Sequence, residues 1–199
     1  MIAAIVLAAA LLPPPQDPPT QAPRRPGERV AWQRSLADAL ALQTKTGLPL
    51  MIAVNMDGEV FNDRFAATTY KDPGFVASTR GYICVIASPD RHTESDYDAL
   101  GNRIECPRFG GCTCSEHINI EPELFRRYFD GKRNAPRHVG VNPAGEVMFD
   151  RFLDRRMQTA IDAVAKNRGD RPAAHLQAPK SVEEMFRRRD AMARSILEQ

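Results

Sequence analysis

The sequence has 199 residues, with 27 Lys and Arg against 25 Asp and Glu, which gives a net charge of +2 at pH 7. This near-balance gives no support to a nucleic-acid-binding protein, which usually carries a marked basic excess, so we expect no nucleic-acid partner. Hydrophobic residues make up 43% of the chain, a normal globular share that argues against wholesale disorder. Four cysteines are too few for a small disulfide scaffold but suffice for one metal site or one bridge.

The N-terminal segment is apolar and short. Residues 2–12 form an unbroken apolar run, which is too short to span a bilayer comfortably and is typical of the core of a secretory signal. Because no Lys or Arg precedes this run, an uncleaved anchor and a misassigned start are the alternatives. We assign residues 1–12 to a signal peptide or apolar segment and residues 13–30 to a Pro-rich linker. The predicted location is extracytoplasmic (periplasmic or secreted), with membrane contact only through an uncleaved N-terminal segment.

The hydrophobic pattern after the linker predicts helices that alternate with strands. A first helix begins near Trp32 and ends before Gly47 and Pro49. Predicted strands cover residues 50–56, 82–87, 138–141 and 146–152. The remaining predicted helices cover residues 59–69, 72–77 and 154–167, and a further one begins at Pro122 after a long polar stretch, residues 88–121. This order favours an α/β layer fold with a central mixed sheet.

The C-terminal part of the chain is predicted to lie outside that α/β unit. The domain is assigned to residues 31–168 with a Cys-rich loop at residues 102–121, and residues 169–180 form a linker. Residues 181–198 are predicted to form a C-terminal helix, because Ser181 and Glu184 have the spacing of a capping box. Its narrow apolar stripe favours a helix that is solvated or docked on the domain, with a partner-binding helix as the alternative.

Three segments carry a resemblance to a known family. Residues 45–50 (KTGLPL) lead into an apolar strand, and residues 70–73 (YKDP) follow the next helix. Residues 135–145 (APRHVGVNPAG) contain a proline, a predicted strand and a turn, in that order. In this order and spacing the chain resembles the thioredoxin-like superfamily, and it is most similar to the stress-type, single-domain relatives in secreted bacterial proteins. The resemblance implies a three-layer sandwich with a central mixed sheet flanked by helices. It also implies that Ala135 and a cis Pro136 form the substrate-facing loop.

The position of the redox dithiol departs from that family. The resemblance places the two cysteines of the Trp-Cys-x-x-Cys motif at Glu59 and Asn62, which cannot form a disulfide. Dithiol exchange at that position is therefore excluded, since it needs a thiolate at a helix N-terminus and a resolving thiol. Glu59 is interpreted as an acidic partner of the helix dipole, with a functional acid as the alternative.

A cluster of possible metal ligands lies later in the chain. Cys106, Cys112, Cys114 and His117 lie within twelve residues and follow the pattern C-x5-C-x-C-x2-H. Four such ligands suit a tetrahedral Cys3His site, with zinc as the first candidate and copper as the second. His92, in the polar stretch before the cluster, is interpreted as a solvated residue, with an additional ligand as the alternative. His138 is interpreted as an ordinary strand residue, and Cys84 as a small buried hydrophobe.

Two other interpretations of the cysteine cluster remain open. In an oxidising compartment Cys106 could form a disulfide with Cys112 or Cys114 and so constrain the loop. Alternatively, Cys112 and Cys114 could exchange thiols with a partner, with Cys106 as the resolving thiol. The leading function is a non-enzymatic binding or scaffold module, with a protein partner that the sequence does not identify. The alternative function is a thiol-disulfide oxidoreductase or metal-handling protein that works through Cys112 and Cys114.

Overall fold

The structure is a computed structural model that describes residues 29–152 and 157–168, together with Asp190 and Arg194. The predicted signal peptide (residues 1–12), most of the predicted Pro-rich linker and the linker at 169–180 lie outside the described residues. The predicted C-terminal helix also lies outside them, apart from Asp190 and Arg194, which are helical. No described helix is long and apolar enough to cross a membrane.

The described chain forms five α-helices and four strands. In chain order these are α1 (Leu36–Thr46), β1 (Leu50–Val54), α2 (Val60–Ala67), α3 (Pro73–Thr79), β2 (Ile83–Ala87), α4 (Cys114–Tyr128), β3 (Arg137–Val141), β4 (Val147–Phe152) and α5 (Met157–Arg168). A 3-10 turn, Thr69–Lys71, joins α2 to α3. The order agrees with the predicted alternation of helices and strands.

The sheet is mixed, with strand order β2-β1-β3-β4. β1 pairs in parallel with β2, while the β1–β3 and β3–β4 pairs are antiparallel. The predicted central mixed sheet is therefore confirmed, and the arrangement is consistent with a thioredoxin-like fold. The Ala135–Pro136 peptide bond, directly before β3, is cis.

Helices cover both faces of the sheet, which explains why β1 is buried along its whole length. Met51 and Ala53 point to the face that α2, α3 and α5 cover, and they share one apolar cluster with residues of those helices. Ile52 and Val54 point to the opposite face and pack with residues of α1 and α4. Because side chains alternate along a strand, one five-residue strand contributes to both layers of the core.

Two helix starts differ from the sequence prediction. α1 begins four residues after Trp32, because Ser35 is its N-cap and the Ser35 hydroxyl accepts a hydrogen bond from the Asp38 N–H at 3.0 Å. Trp32 is instead extended and forms an isolated parallel bridge with Cys84. α4 begins at Cys114 rather than at Pro122, which lies inside the helix.

A capping box explains the early start of α4. The Thr113 hydroxyl accepts from the Glu116 N–H, and the Glu116 carboxylate accepts from the Thr113 N–H at 2.8 Å. These two bonds satisfy backbone donors that a helix start otherwise leaves unpaired. The end of the Cys-rich segment is therefore a helical turn and not a free loop, and this fixes the directions of the side chains in it.

Candidate metal centre

Four side chains converge beyond the carboxyl end of β2. They are His92, Cys106, Cys114 and His117, and one ligand atom from each lies within 4.8 Å of all the others. Three of them are buried, and the side chain of His92 is 12% exposed. Two thiols and two imidazoles in this arrangement are a donor set that suits a tetrahedral transition-metal ion.

Cys114 and His117 reach the centre from the first turn of α4. Residues three apart on a helix lie on the same face, so the capping box that starts α4 at Cys114 also brings this thiol and this imidazole together. The Cys114 Sγ accepts hydrogen bonds from the His92 N–H and the Thr93 hydroxyl, both at 3.3 Å. These two donors hold the Cys114 sulfur in position at the centre.

Cys106 lies in a tight loop closed by backbone hydrogen bonds. The Gly110 N–H donates to the Cys106 carbonyl and the Cys106 N–H donates to the Cys112 carbonyl, both at 2.7 Å. Gly110 and Gly111 both have φ of +67°, a left-handed conformation that side chains rarely adopt. Burial raises the pKa of the Cys106 thiol, and hydrogen bonds from the backbone of Arg108 and Phe109 oppose that rise. The loop thus presents a sulfur with its own N–H donors.

His117 is oriented by a backbone carbonyl. Its Nδ1 is 3.0 Å from the Ser88 carbonyl oxygen, which only accepts, so Nδ1 carries the proton. Its Nε2 is buried and has no hydrogen-bond partner among the described residues. Burial lowers the pKa of His117 to about 4, which keeps the imidazole neutral. A neutral imidazole with one nitrogen fixed by an outer partner and the other unpaired is the form that ligates a metal.

Phe109 encloses the two imidazoles. Its ring lies edge-on to both, with centroids 5.6 Å from that of His92 and 5.0 Å from that of His117. The phenyl ring is itself buried, so it separates the centre from solvent on that side. An apolar neighbour of this kind excludes water and helps to close the site.

The structure brings together three of the four predicted ligands and adds one. Cys106, Cys114 and His117 belong to the cluster, and His92 takes the fourth position instead of Cys112. Cys112 is buried within the apolar cluster beside the sheet, and its backbone closes the loop around Cys106. Burial raises the pKa of Cys112 well above its usual value. His92 lies in the cluster rather than in solvent, which favours its alternative interpretation as an additional ligand.

At the position that the resemblance gives to the dithiol, the structure contains a capping network. Glu59 is the N-cap of α2, and its Oε2 accepts from the Phe61 and Asn62 N–H groups and from the Asn62 side chain. This is the role expected for an acid at a helix start. Asn62 is fully buried, and its Oδ1 accepts from the Met56 N–H at 3.3 Å. The predicted substrate-facing residue Pro136 is buried, and Ala135 is half-buried.

His138 lies in β3, two residues after Pro136, and is buried among aromatic rings. Its Nε2 is 3.0 Å from the Tyr70 hydroxyl, and its ring centroid lies 4.8 Å from that of Phe65. Burial lowers the pKa of His138 to about 4 and raises that of Tyr70. Both side chains are therefore neutral parts of the core near pH 7, as the interpretation of His138 as a strand residue predicts.

The depressed pKa of His138 has a consequence for stability. The His138 imidazole binds a proton near pH 6.5 in the unfolded chain and near pH 4 in the folded chain. The stability that comes from burying the neutral ring is therefore complete above pH 6.5 and falls as the pH drops from 6.5 to 4. Within that range we expect the free energy of unfolding to fall by about 1.4 kcal/mol for each pH unit of acidification because of this residue. Urea unfolding from pH 7 to 4.5 should show a shallower pH dependence for His138→Gln, which can still bond to Tyr70 but does not titrate. If the stability of the unsubstituted protein and of His138→Gln changed equally with pH, the proposed contribution of His138 would be contradicted.

Comparisons with known proteins find matches among solved structures. No protein-family model matches the sequence, and no curated protein matches it. A solved structure titled "DsbH Oxidoreductase" aligns with a TM-score of 0.47 and 12% sequence identity. The alignment covers 75% of this chain and 95% of that one.

Proposed function

We propose that this protein is a thioredoxin-like binding or scaffold module with a structural zinc centre formed by His92, Cys106, Cys114 and His117. The observation that carries the proposal is the convergence of the four ligand atoms within 4.8 Å. The ion would tie the long segment between β2 and α4 to the body of the domain. Export through the N-terminal segment belongs to the proposal and rests on the sequence alone.

The donor set favours zinc. Two thiolates with two imidazoles form a common structural zinc arrangement, in which the protein fills all four positions. Cu(I) prefers sites richer in sulfur, and the centre offers two sulfurs. A site with four protein ligands leaves no position for a substrate or water, which supports a structural rather than a catalytic metal.

The two imidazoles also favour a metal over a disulfide. A Cys106–Cys114 bridge would use both sulfurs, but it would give no reason for two histidines to point their nitrogens at them. All four cysteines are free thiols in the structure. A bridge would also leave the buried His117 Nε2 without a partner among the described residues, which costs free energy.

Thiol exchange with a partner has less support than metal binding. Cys112 and Cys114, the pair that such a reaction would use, are both buried, with 1% and 0% of their surface exposed. A reactive cysteine is at least partly exposed and has a lowered pKa, whereas burial raises the pKa of Cys112. We therefore favour the non-enzymatic function over the oxidoreductase alternative.

Mass spectrometry of the mature, untreated protein tests the proposal. Native spectra should show one zinc ion per chain, and alkylation after denaturation should label all four cysteines. The same spectra report the mature N-terminus and so test cleavage of the signal. A chain that is two hydrogens lighter, carries no metal and has two labelled thiols would establish a disulfide and refute the zinc centre.

A further inference from the structure

We propose that Asp57 is a positioning residue of the metal centre, which fixes the ring of His92 so that its Nδ1 faces the ion. The inference rests on the zinc centre proposed above and adds to it a residue from a distant part of the chain. Asp57 lies in the turn between β1 and α2, 35 residues before His92. This turn directly precedes the helix start where the family resemblance places the dithiol.

The two ring nitrogens of His92 face different partners. Nε2 lies 3.1 Å from Oδ1 and 3.2 Å from Oδ2 of Asp57. Nδ1 lies 3.3 Å from the Cys106 Sγ and 3.8 Å from the Cys114 Sγ. An ionised carboxylate only accepts hydrogen bonds, so in a neutral imidazole it holds the proton on Nε2 and leaves the lone pair on Nδ1.

Asp57 is itself held in place from two sides. Its Oδ1 is 3.0 Å from the Arg108 Nε, and its backbone N–H donates to Oδ2 of Asp90 at 2.8 Å. Arg108 lies two residues after Cys106, so one cation links the carboxylate to the loop that carries a ligand. The carboxylate is thus fixed in position before an ion binds, and a fixed outer partner both orients a ligating histidine and raises its basicity.

The two histidines differ in how they are oriented, which makes the inference testable. His117 depends on a backbone carbonyl, that of Ser88, which no substitution removes. His92 depends on the Asp57 side chain, which is 40% exposed. Replacing Asp57 therefore removes the outer partner of one ligand at a surface position where a substitution is tolerated by the fold.

Asp63 provides a matched control. Its Oδ1 lies 2.8 Å from Nη2 of Arg108, so it contacts the same cation from a similarly exposed position. Among the described residues, the carboxylate that contacts His92 is that of Asp57. Asp57→Ala and Asp63→Ala both weaken the interactions of Arg108, but only the first frees the His92 ring.

The first measurement is zinc affinity by competition with a chromogenic chelator. We expect Asp57→Ala to weaken zinc binding roughly 10–100-fold, as loss of an outer partner of a ligating histidine typically does. Asp63→Ala should stay within about threefold of the unsubstituted protein, as befits an exposed ion pair. Asp57→Asn, which keeps the size and one acceptor oxygen, should fall between the two.

The second measurement reports the hydrogen bond itself. In the Co²⁺-loaded protein, proton NMR should show two exchangeable, hyperfine-shifted ring N–H signals, one from His92 Nε2 and one from His117 Nδ1. Asp57→Ala should lose one signal to solvent exchange, and Asp63→Ala should keep both. If the unsubstituted protein binds neither Zn²⁺ nor Co²⁺, the proposed function itself fails. If it binds both ions but the two alanine variants match in affinity and keep both signals, only the role of Asp57 is overturned.

Discussion

Removal of zinc from the proposed centre by a strong chelator is expected to lower the melting temperature of this protein by roughly 8–16 °C. A ligand present at 1,000 times its dissociation constant stabilises the folded state by about 4 kcal/mol. In a domain of this size, each kcal/mol shifts the melting temperature by about 2–4 °C. Thermal unfolding followed by circular dichroism, with and without chelator, measures the shift.

The position of the centre explains why the effect reaches the whole domain. Cys106 and Cys114 belong to the same apolar cluster as Met51 and Ala53 of the central strand. Without an ion, the thiols of Cys106 and Cys114 and the unpaired Nε2 of His117 are buried in an environment that solvates them poorly. Loss of the metal is therefore expected to loosen one face of the sheet and not only the loop.

Two controls separate metal loss from other effects of the chelator. Chelator saturated with zinc beforehand should leave the melting temperature unchanged, and zinc added back in excess should restore it. An unchanged melting temperature after removal of the metal, verified by elemental analysis, would contradict a structural role for the ion.

The fold could be predicted from the sequence because its signals are local. The five residues of β1 form an apolar run bounded by Pro49 and by the polar turn that contains Asp57. The predicted start of α4 at Pro122 is wrong, because the helix begins earlier, at the capping box formed by Thr113 and Glu116. Proline is favoured in the first turn of a helix, but nothing in that preference requires a helix to begin there.

The candidate metal centre could be predicted only in part, since the residues that could hold an ion come from separate segments. Cys106, Cys114 and His117 are close in sequence, and their residue types indicate a metal site. His92 precedes Cys106 by 14 residues, and only the packing of the long segment against the end of β2 brings it to the centre. Cys112 fits the spacing equally well, but its sulfur is not among the four ligand atoms that converge.

The second large effect is expected from substitution of His92. It distinguishes the Cys3His ligand set predicted from the sequence from the set of two cysteines and two histidines in the structure. His92→Ala should reduce zinc affinity by more than the roughly 10–100-fold that loss of an outer-shell partner costs, because a direct ligand is removed. Cys112→Ala should keep one zinc ion per chain, since its thiol is not among the four converging ligand atoms. Competition with a chromogenic chelator measures both affinities.

Comparison with Cys114→Ala and a stability control makes the result decisive. Cys114→Ala removes a ligand common to both sets, so its loss of affinity sets the scale for a missing ligand. Cys112→Ala removes a buried sulfur and should cost stability of about 1 kcal/mol, the usual size for a small change in a core. Its circular dichroism spectrum should match that of the unsubstituted protein.

If Cys112→Ala lost zinc on the scale of Cys114→Ala while His92→Ala retained it, the Cys3His set would be correct and the position of His92 in the centre wrong. The opposite pattern would support the set of His92, Cys106, Cys114 and His117, whose ligand atoms converge because the segment between β2 and α4 packs against the start of α4.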